Sequence, residues 1–300
     1  MKTTNLLRMS ALAGVLIAGA GAANAGMIVT QDSNGTNLLN ALVPNQSQFN
    51  SISASFTTGN AAQVGTYTGF TSPPVTIGNG VVLSTGNAVD VVGPANASDV
   101  PSTDFSGGST TEINNYASGR VIGWNSSFDA AVLSVNFNLA SASAIAFNFV
   151  FGSIEFPNYV NQFADASFAF LDGTQIIFDS AGNPVDVGTS FANLLTKVDT
   201  NTAFADPHAL LDTLTTTSGT LAAGDHTLLF EIADTNDGIL DSAIFLSNFR
   251  TTTNSGGPVT QPEDVPEPAS LSLLLAGLTA LGFIRFGAGR RKFAVVRVSA

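Results

Sequence analysis

Apolar and polar residues alternate with a period of two along much of the chain. Leu133, Val135, Phe137 and Leu139 are separated by Ser134, Asn136 and Asn138, and Ile145, Phe147, Phe149 and Phe151 by Ala146, Asn148 and Val150. Successive side chains of a strand point to opposite faces, so each run predicts a strand with one apolar face. The short 140–144 segment between them predicts that the two strands pair with each other through a turn. Residues 167–171 and 175–178 flank Asp172-Gly173, a dipeptide suited to the tightest hairpin turns. Leu228, Phe230 and Ile232 mark a further half-buried strand, and residues 243–249 another. Helical spacing is confined to 36–43 and 190–195. Many short strands punctuated by Gly, Asn, Asp and Pro predict an all-β fold, a β-sandwich of jelly-roll type, in one domain spanning 26–250.

The two ends break this pattern. Lys2 and Arg8 precede an uncharged run rich in Ala, Leu and Gly, and Ala23-Asn24-Ala25 closes it. A basic start, a short apolar stretch and small residues at the −3 and −1 positions predict a secretory signal peptide over 1–25, cut by signal peptidase between Ala25 and Gly26. A Pro-, Gly- and Thr-rich linker, 251–264, leads to a second apolar run, uncharged from 269 to 284, followed by Arg285 and by Arg290-Arg291-Lys292. Sixteen uncharged residues fall short of the roughly 20 that span a bilayer. Extension to Phe286 with Arg285 snorkelling predicts a membrane-inserted helix over 269–286, with the basic cluster on the cytoplasmic side.

Charge separates the middle from the ends. Residues 26–264 hold 21 acids and only three bases, Arg120, Lys197 and Arg250, a net charge of −18. Such a surface repels nucleic acid and other polyanions. The chain has no cysteine, which removes disulfides, thiolate metal sites and cysteine nucleophiles. With 44% hydrophobic and 11% charged residues it has ample material for a core, and its 22 Phe against 3 Tyr and 1 Trp make the aromatic content chiefly core filler.

Two resemblances follow from particular residues. Val265-Pro266-Glu267-Pro268, then a short hydrophobic run, then a basic cluster, resembles the PEP-CTERM protein-sorting tail of Gram-negative bacteria over 265–292. The resemblance implies an exported protein, transiently anchored through its C-terminal helix, whose tail is processed at that motif by an exosortase-type membrane protease. Residues 293–300 continue past the basic cluster, where such tails stop sooner. In the middle, Leu38-Leu39, the Gly80-Val81-Val82-Leu83-Ser84-Thr85-Gly86 segment, Gly93-Pro94, Phe149-Val150-Phe151-Gly152-Ser153 leading to Glu155-Phe156-Pro157, and Ile232-Ala233-Asp234 through Asp241-Ser242-Ala243 resemble the choice-of-anchor L domain of bacterial surface proteins. Ile154 stands where that family tends to carry the first of two adjacent acids. The resemblance implies surface display and brings no activity with it.

Candidate chemistry is sparse. Asp234, Asn236, Asp237 and Asp241 place four oxygen-bearing side chains within one loop after a strand, and Glu155 and Asp165 complete a set suited to a calcium ion. The loop is not an EF-hand, since Ile239 takes the glycine position and Phe245 that of the bidentate glutamate. The same residues also serve as ordinary turn formers. Glu155 and Glu231 are the best pair for glycoside hydrolysis. His208 and His226 lack metal-ligand spacing, Trp124 is a lone candidate for stacking on a sugar, and Gly78-Asn79-Gly80 reads as a turn because no lysine and helix follow it. The reading that results is a cell-surface or extracellular-matrix protein of structural or adhesive character, without a catalytic site or a cofactor other than calcium. The alternative is a carbohydrate-binding module or glycoside hydrolase acting on extracellular polysaccharide such as that of a biofilm.

Overall fold

A computed structural model describes residues 26–73, 77–93, 101–160, 162–191 and 194–253. In chain order its elements are β1 (Ile28–Gln31), α1 (Gly35–Leu42), β2 (Ser51–Thr58), β3 (Val64–Phe70), β4 (Gly78–Ser84), α2 (Thr111–Ala117), β5 (Ser127–Leu139), β6 (Ala144–Ser153), β7 (Ala166–Leu171), β8 (Thr174–Gln175), β9 (Val185–Asp186), α3 (Val187–Phe191), β10 (Ala209–Leu210), β11 (Leu214–Thr217), β12 (Gly224–Thr235) and β13 (Ser242–Thr252). The signal segment, the sorting motif and the 269–286 run lie outside the described residues.

The strands build an all-β sandwich. One antiparallel sheet of seven runs β1-β3-β4-β13-β6-β10, with β11 also paired to β6. The other, of six, runs β2-β5-β12-β7-β8, with β9 also on β7. The two longest apolar runs therefore do not pair with each other. β5 lies between β2 and β12, and β6 lies against β13, so the 140–143 connection crosses from one sheet to the other. The physical reason is that both runs carry a complete apolar face. On opposite sheets those faces cover each other across the core, while β12 and β13, which carry apolar inner faces of their own, are the in-sheet neighbours of β5 and β6. Leu133, Val135, Phe137, Leu139, Ile145, Phe147, Phe149 and Phe151 all belong to the one central core. Phe147 meets Phe230 of β12 edge to face, with ring centroids 4.9 Å apart.

The outer faces are covered too, which explains strands that read as continuously apolar. Phe204 and Leu210 pack with Tyr67, Val82, Val150 and Phe245 on the far side of the seven-stranded sheet. Ile113 and Ala117 of α2 pack with Phe168, Phe170 and Ala233 on the far side of the other. The Asp172-Gly173 turn forms as expected, with φ of 49° and 80°, the left-handed pair that a two-residue hairpin requires. Its second strand is shorter than the alternation suggests: β8 ends at Gln175, and Ile176 and Ile177 turn into the core instead. The early helix forms over Gly35–Leu42, capped by the Asn34 side chain, which accepts from Thr36 and Asn37 N–H at 3.0 and 3.2 Å. The later one, Val187–Phe191, begins three residues ahead of the 190–195 window and overlaps its first two positions.

Candidate functional site

The inward-facing positions of four strands lead to one end of the sandwich, and there they change from apolar to polar. Leu228, Phe230 and Ile232 are followed by Asp234; Leu246 and Ile244 are preceded by Ser242; Val81 and Leu83 are followed by Thr85; Leu171 and Ala169 are preceded by Ser167 and Asp165. Asp165, Asp234, Thr85 and Ser242 are all fully buried. Each strand thus carries an oxygen-bearing side chain where its inner face leaves the hydrocarbon core, and the four meet between the sheets.

Hydrogen bonds tie the two sheets together here. Asp165 accepts from the Thr235 N–H at 3.0 Å on one sheet and from the Ser242 hydroxyl at 2.7 Å on the other. Ser242 N–H donates to the Thr85 hydroxyl at 2.9 Å. Asp241 Oδ1 accepts from Thr103 N–H at 2.7 Å, and Glu155 Oε2 accepts from Asp165 N–H at 3.3 Å. Gln63, itself buried, donates to the carbonyls of Thr85 at 2.8 Å and Asp129 at 2.6 Å. Gly86 has to be glycine: a Cβ there would stand 1.8 Å from Asp241 Oδ2. Glu155 also lines a cavity of about 390 Å³ with Ser102, Tyr159, Phe163, Asp237 and Leu240, so the cluster borders a space open toward solvent.

Three carboxylate oxygens in this cluster are buried without a hydrogen-bond partner: both of Asp234 and Oδ2 of Asp241. Thr85 and Asp165 are the nearest side chains influencing Asp234. Burial pushes the carboxyl groups of Asp165, Asp234, Asp241 and Glu155 toward the protonated form, and their mutual repulsion adds to it for Asp234 and Glu155. No basic side chain offsets this. Arg120 donates to the Tyr116 carbonyl and sits over its ring, Lys197 pairs with Asp212 at 2.7 Å, and Arg250 donates to the Asn248 carbonyl.

The structure divides the six candidate calcium ligands. Asp165 lies beside both Asp234 and Glu155, Asp241 acts on Asp234 alone of these, and Asp237 acts on Glu155 and Asp165 across the cavity it shares with Glu155. Asn236 and Asp237 lie on the outer turn: Asn236, at φ 71°, accepts from Asn125 N–H and donates to the Gly123 carbonyl, and Asp237 accepts from Ile239 N–H. Their side chains do the turn work that Asx residues do elsewhere. Among the described residues no group of three or more His, Asp or Glu side chains is placed to hold a metal ion. Sequence reasoning missed Thr85, Ser242 and Gln63. The first two were within reach, since extending each strand's alternation by one step past its last apolar residue points to them; nothing local marks Gln63.

The other candidates lie apart. Glu231 is on the outer face of its sheet beneath α2, where the Thr110 hydroxyl donates to it at 2.9 Å, and burial pushes it up to about 7. Glu155, by contrast, lines the cavity at the end of the sandwich. Trp124 is half-buried, donating to Asn114 and packing its ring edge-on to Phe168. Gly78 opens β4 at φ 67°, and at Gly80 a Cβ would stand 1.9 Å from the Leu246 carbonyl oxygen, so the Gly-Asn-Gly segment serves the turn and the sheet. His208 Nδ1 lies 3.0 Å from the Phe156 carbonyl. His226 is held between Asp172 at 2.7 Å and the Ala222 carbonyl at 3.0 Å. Both partners accept, so the ring donates from both nitrogens; burial lowers its pKa, but Asp172, Ala222 and Asp225 together outweigh that and raise it.

Fold and sequence together define an exported β-sandwich module whose sheets are joined at one end by a buried acidic layer. The choice-of-anchor L domain matches residues 28–184, a little over half of the chain, and the protein belongs to that family. The PEP-CTERM protein-sorting motif matches residues 264–292, which makes this an exported, envelope-associated protein sorted by an exosortase-type system. No curated protein and no solved structure matches the chain. β12 and β13 lie beyond the matched 28–184 segment, yet each occupies a central place in its sheet, so the sandwich needs the chain through Thr252. Among the described residues no helix is long and apolar enough to cross a membrane.

Proposed function

We propose that this protein is displayed at the cell envelope or in the extracellular matrix as a structural or adhesive module, with no catalytic role. The observation that supports it best is the joining of a choice-of-anchor L domain to a PEP-CTERM tail in one chain. Its buried carboxylates favour the same reading, because Glu155 and Glu231 are each 1% exposed and have separate surroundings, one at the cavity at the end of the sandwich and the other under the Thr110 hydroxyl beside α2.

A specific surface favours polysaccharide as the partner over protein. The six-stranded sheet has an open concavity of about 360 Å³ lined by Ser51, Ser53, Asn136, Asp172, Asp225 and Thr227, with His226 at its edge. Hydroxyl, amide and carboxylate groups set in register across β2, β5 and β12 suit the hydroxyls of a sugar chain, and a net acidic surface disfavours polyanions. The test is attachment of producing and non-producing cells to a surface, with and without added neutral extracellular polysaccharide. Producing cells are expected to attach several-fold better and the soluble polysaccharide to compete. Equal attachment of the two strains would contradict the adhesive role; unequal attachment without competition would contradict only the polysaccharide partner.

A further inference from the structure

The buried acidic layer gathers several carboxylates out of water without an evident counter-charge, where Asp186 and Glu231 are each buried singly elsewhere. We propose that it holds a single calcium ion between the Asp234 and Asp165 carboxylates, with the Thr85 hydroxyl beside them, and that this ion cross-links the two sheets. The inference goes beyond the display role proposed above and does not depend on it.

Asp234 is the observation on which the site turns. It sits at an inward-facing position of β12, none of its surface reaches solvent, and its carboxylate oxygens make no well-formed hydrogen bond, with the Thr85 hydroxyl and the Asp165 carboxylate as the polar groups beside them. An isolated buried carboxylate is among the most costly groups a fold can enclose, and native structures pair such a group, neutralise it or place it on a metal. Asp241 Oδ2 is enclosed and unpartnered in the same way. The three bases of the domain are engaged elsewhere, so no side chain supplies the missing positive charge.

The ligand chemistry selects the ion. Every group at the site is an oxygen: the Asp234 and Asp165 carboxylates and the Thr85 hydroxyl, with the Glu155 carboxylate beyond them at the cavity wall. No thiol exists in the chain, and no histidine nitrogen joins the cluster, so soft and borderline metals find no preferred donor. Calcium accepts six to eight oxygens in adaptable geometry and takes main-chain carbonyls, hydroxyls and water along with carboxylates. That tolerance matters, because the carboxylates alone do not close a shell. Magnesium demands near-octahedral geometry and keeps several waters, which a site this enclosed disfavours. The Glu155 cavity is the route by which an ion reaches Asp234, and the absence of a side chain at Gly86 makes room for the Asp241 carboxylate.

The full exported chain, purified with its tail, is stripped with chelator and melted in EDTA, in calcium and in magnesium. At calcium about a hundredfold above its dissociation constant the melting temperature is expected to rise by about 5–10 °C, and with magnesium by less than about a third of that. Asp234→Asn is expected to abolish the rise and, in EDTA, to melt at or above the unaltered protein, because it removes a buried charge that nothing then neutralises. Metal content after gel filtration in calcium gives a second reading that does not require the variant to fold, with one equivalent per chain expected. A melting temperature indifferent to calcium, a full calcium response in Asp234→Asn, or absence of bound calcium would each overturn the proposal. Stabilisation by mild acid alone, with no response to calcium, would assign the site to a shared proton instead.

Discussion

Replacing Phe230 with alanine is expected to destabilise the domain by about 4 kcal/mol and to lower its melting temperature by roughly 8–16 °C. Phe230 stands in the middle of β12, the central strand of the six-stranded sheet, opposite Leu133 on one side and Ala169 on the other. Its ring is fully buried and meets Phe147 of the facing sheet edge to face. Truncation removes both the transfer of an aromatic ring out of water and a large filler between two sheets whose backbones are fixed by their ladders, which limits how far the cavity can collapse. Phe128 is the natural control. It lies on β5 but is 38% exposed, and Phe128→Ala is expected to change stability by no more than about 0.5 kcal/mol. Thermal melts of the two variants side by side decide the matter. If Phe230→Ala melted like Phe128→Ala, the facing of β12 and β6 across one core would be wrong.

Deleting residues 269–300 is expected to move nearly all of the protein from the membrane fraction to the periplasm or medium. The deletion removes the uncharged run beyond the Pro266-Glu267-Pro268 motif together with Arg285 and the Arg290-Arg291-Lys292 cluster. An apolar run flanked by basic residues on one side is what retains such a tail in a bilayer, and the acidic sandwich ahead of it has no affinity of its own for an anionic membrane surface. Fractionation of cells producing the full and shortened chains reads the result. A shortened chain that stayed with the membrane as the full chain does would show that the sandwich, not the tail, holds the protein there.

How far the amino-acid pattern reaches is clear from particular strands. Period-two alternation located β5, β6 and β12 and their buried faces, because that signal is carried by each strand alone, and β13 stood out only as an apolar run. Asp172-Gly173 located its turn for the same reason. Partners were another matter. Proximity along the chain argued for pairing β5 with β6, and the need of each apolar face for a cover placed them on opposite sheets, a decision that depends on β12 and β13 about a hundred residues away. The acidic layer was half legible. Asp234, Asp241, Asp165 and Glu155 stood out as acids near strand ends, but their convergence follows from the order of strands, and the division between enclosed Asp234 and turn-bound Asn236 follows from which side of β12 each one faces.

The most direct test of the account as a whole is the intact mass of the protein from producing cells, measured separately for each cell fraction. A species that begins at Gly26, found in the envelope or extracellular fraction, is the predicted result, and a further loss of mass beginning near Pro266-Glu267-Pro268 would mark the sorting protease at work. A single species retaining Met1 in the cytoplasmic fraction would contradict export, and with it the reading of this sandwich as a displayed module.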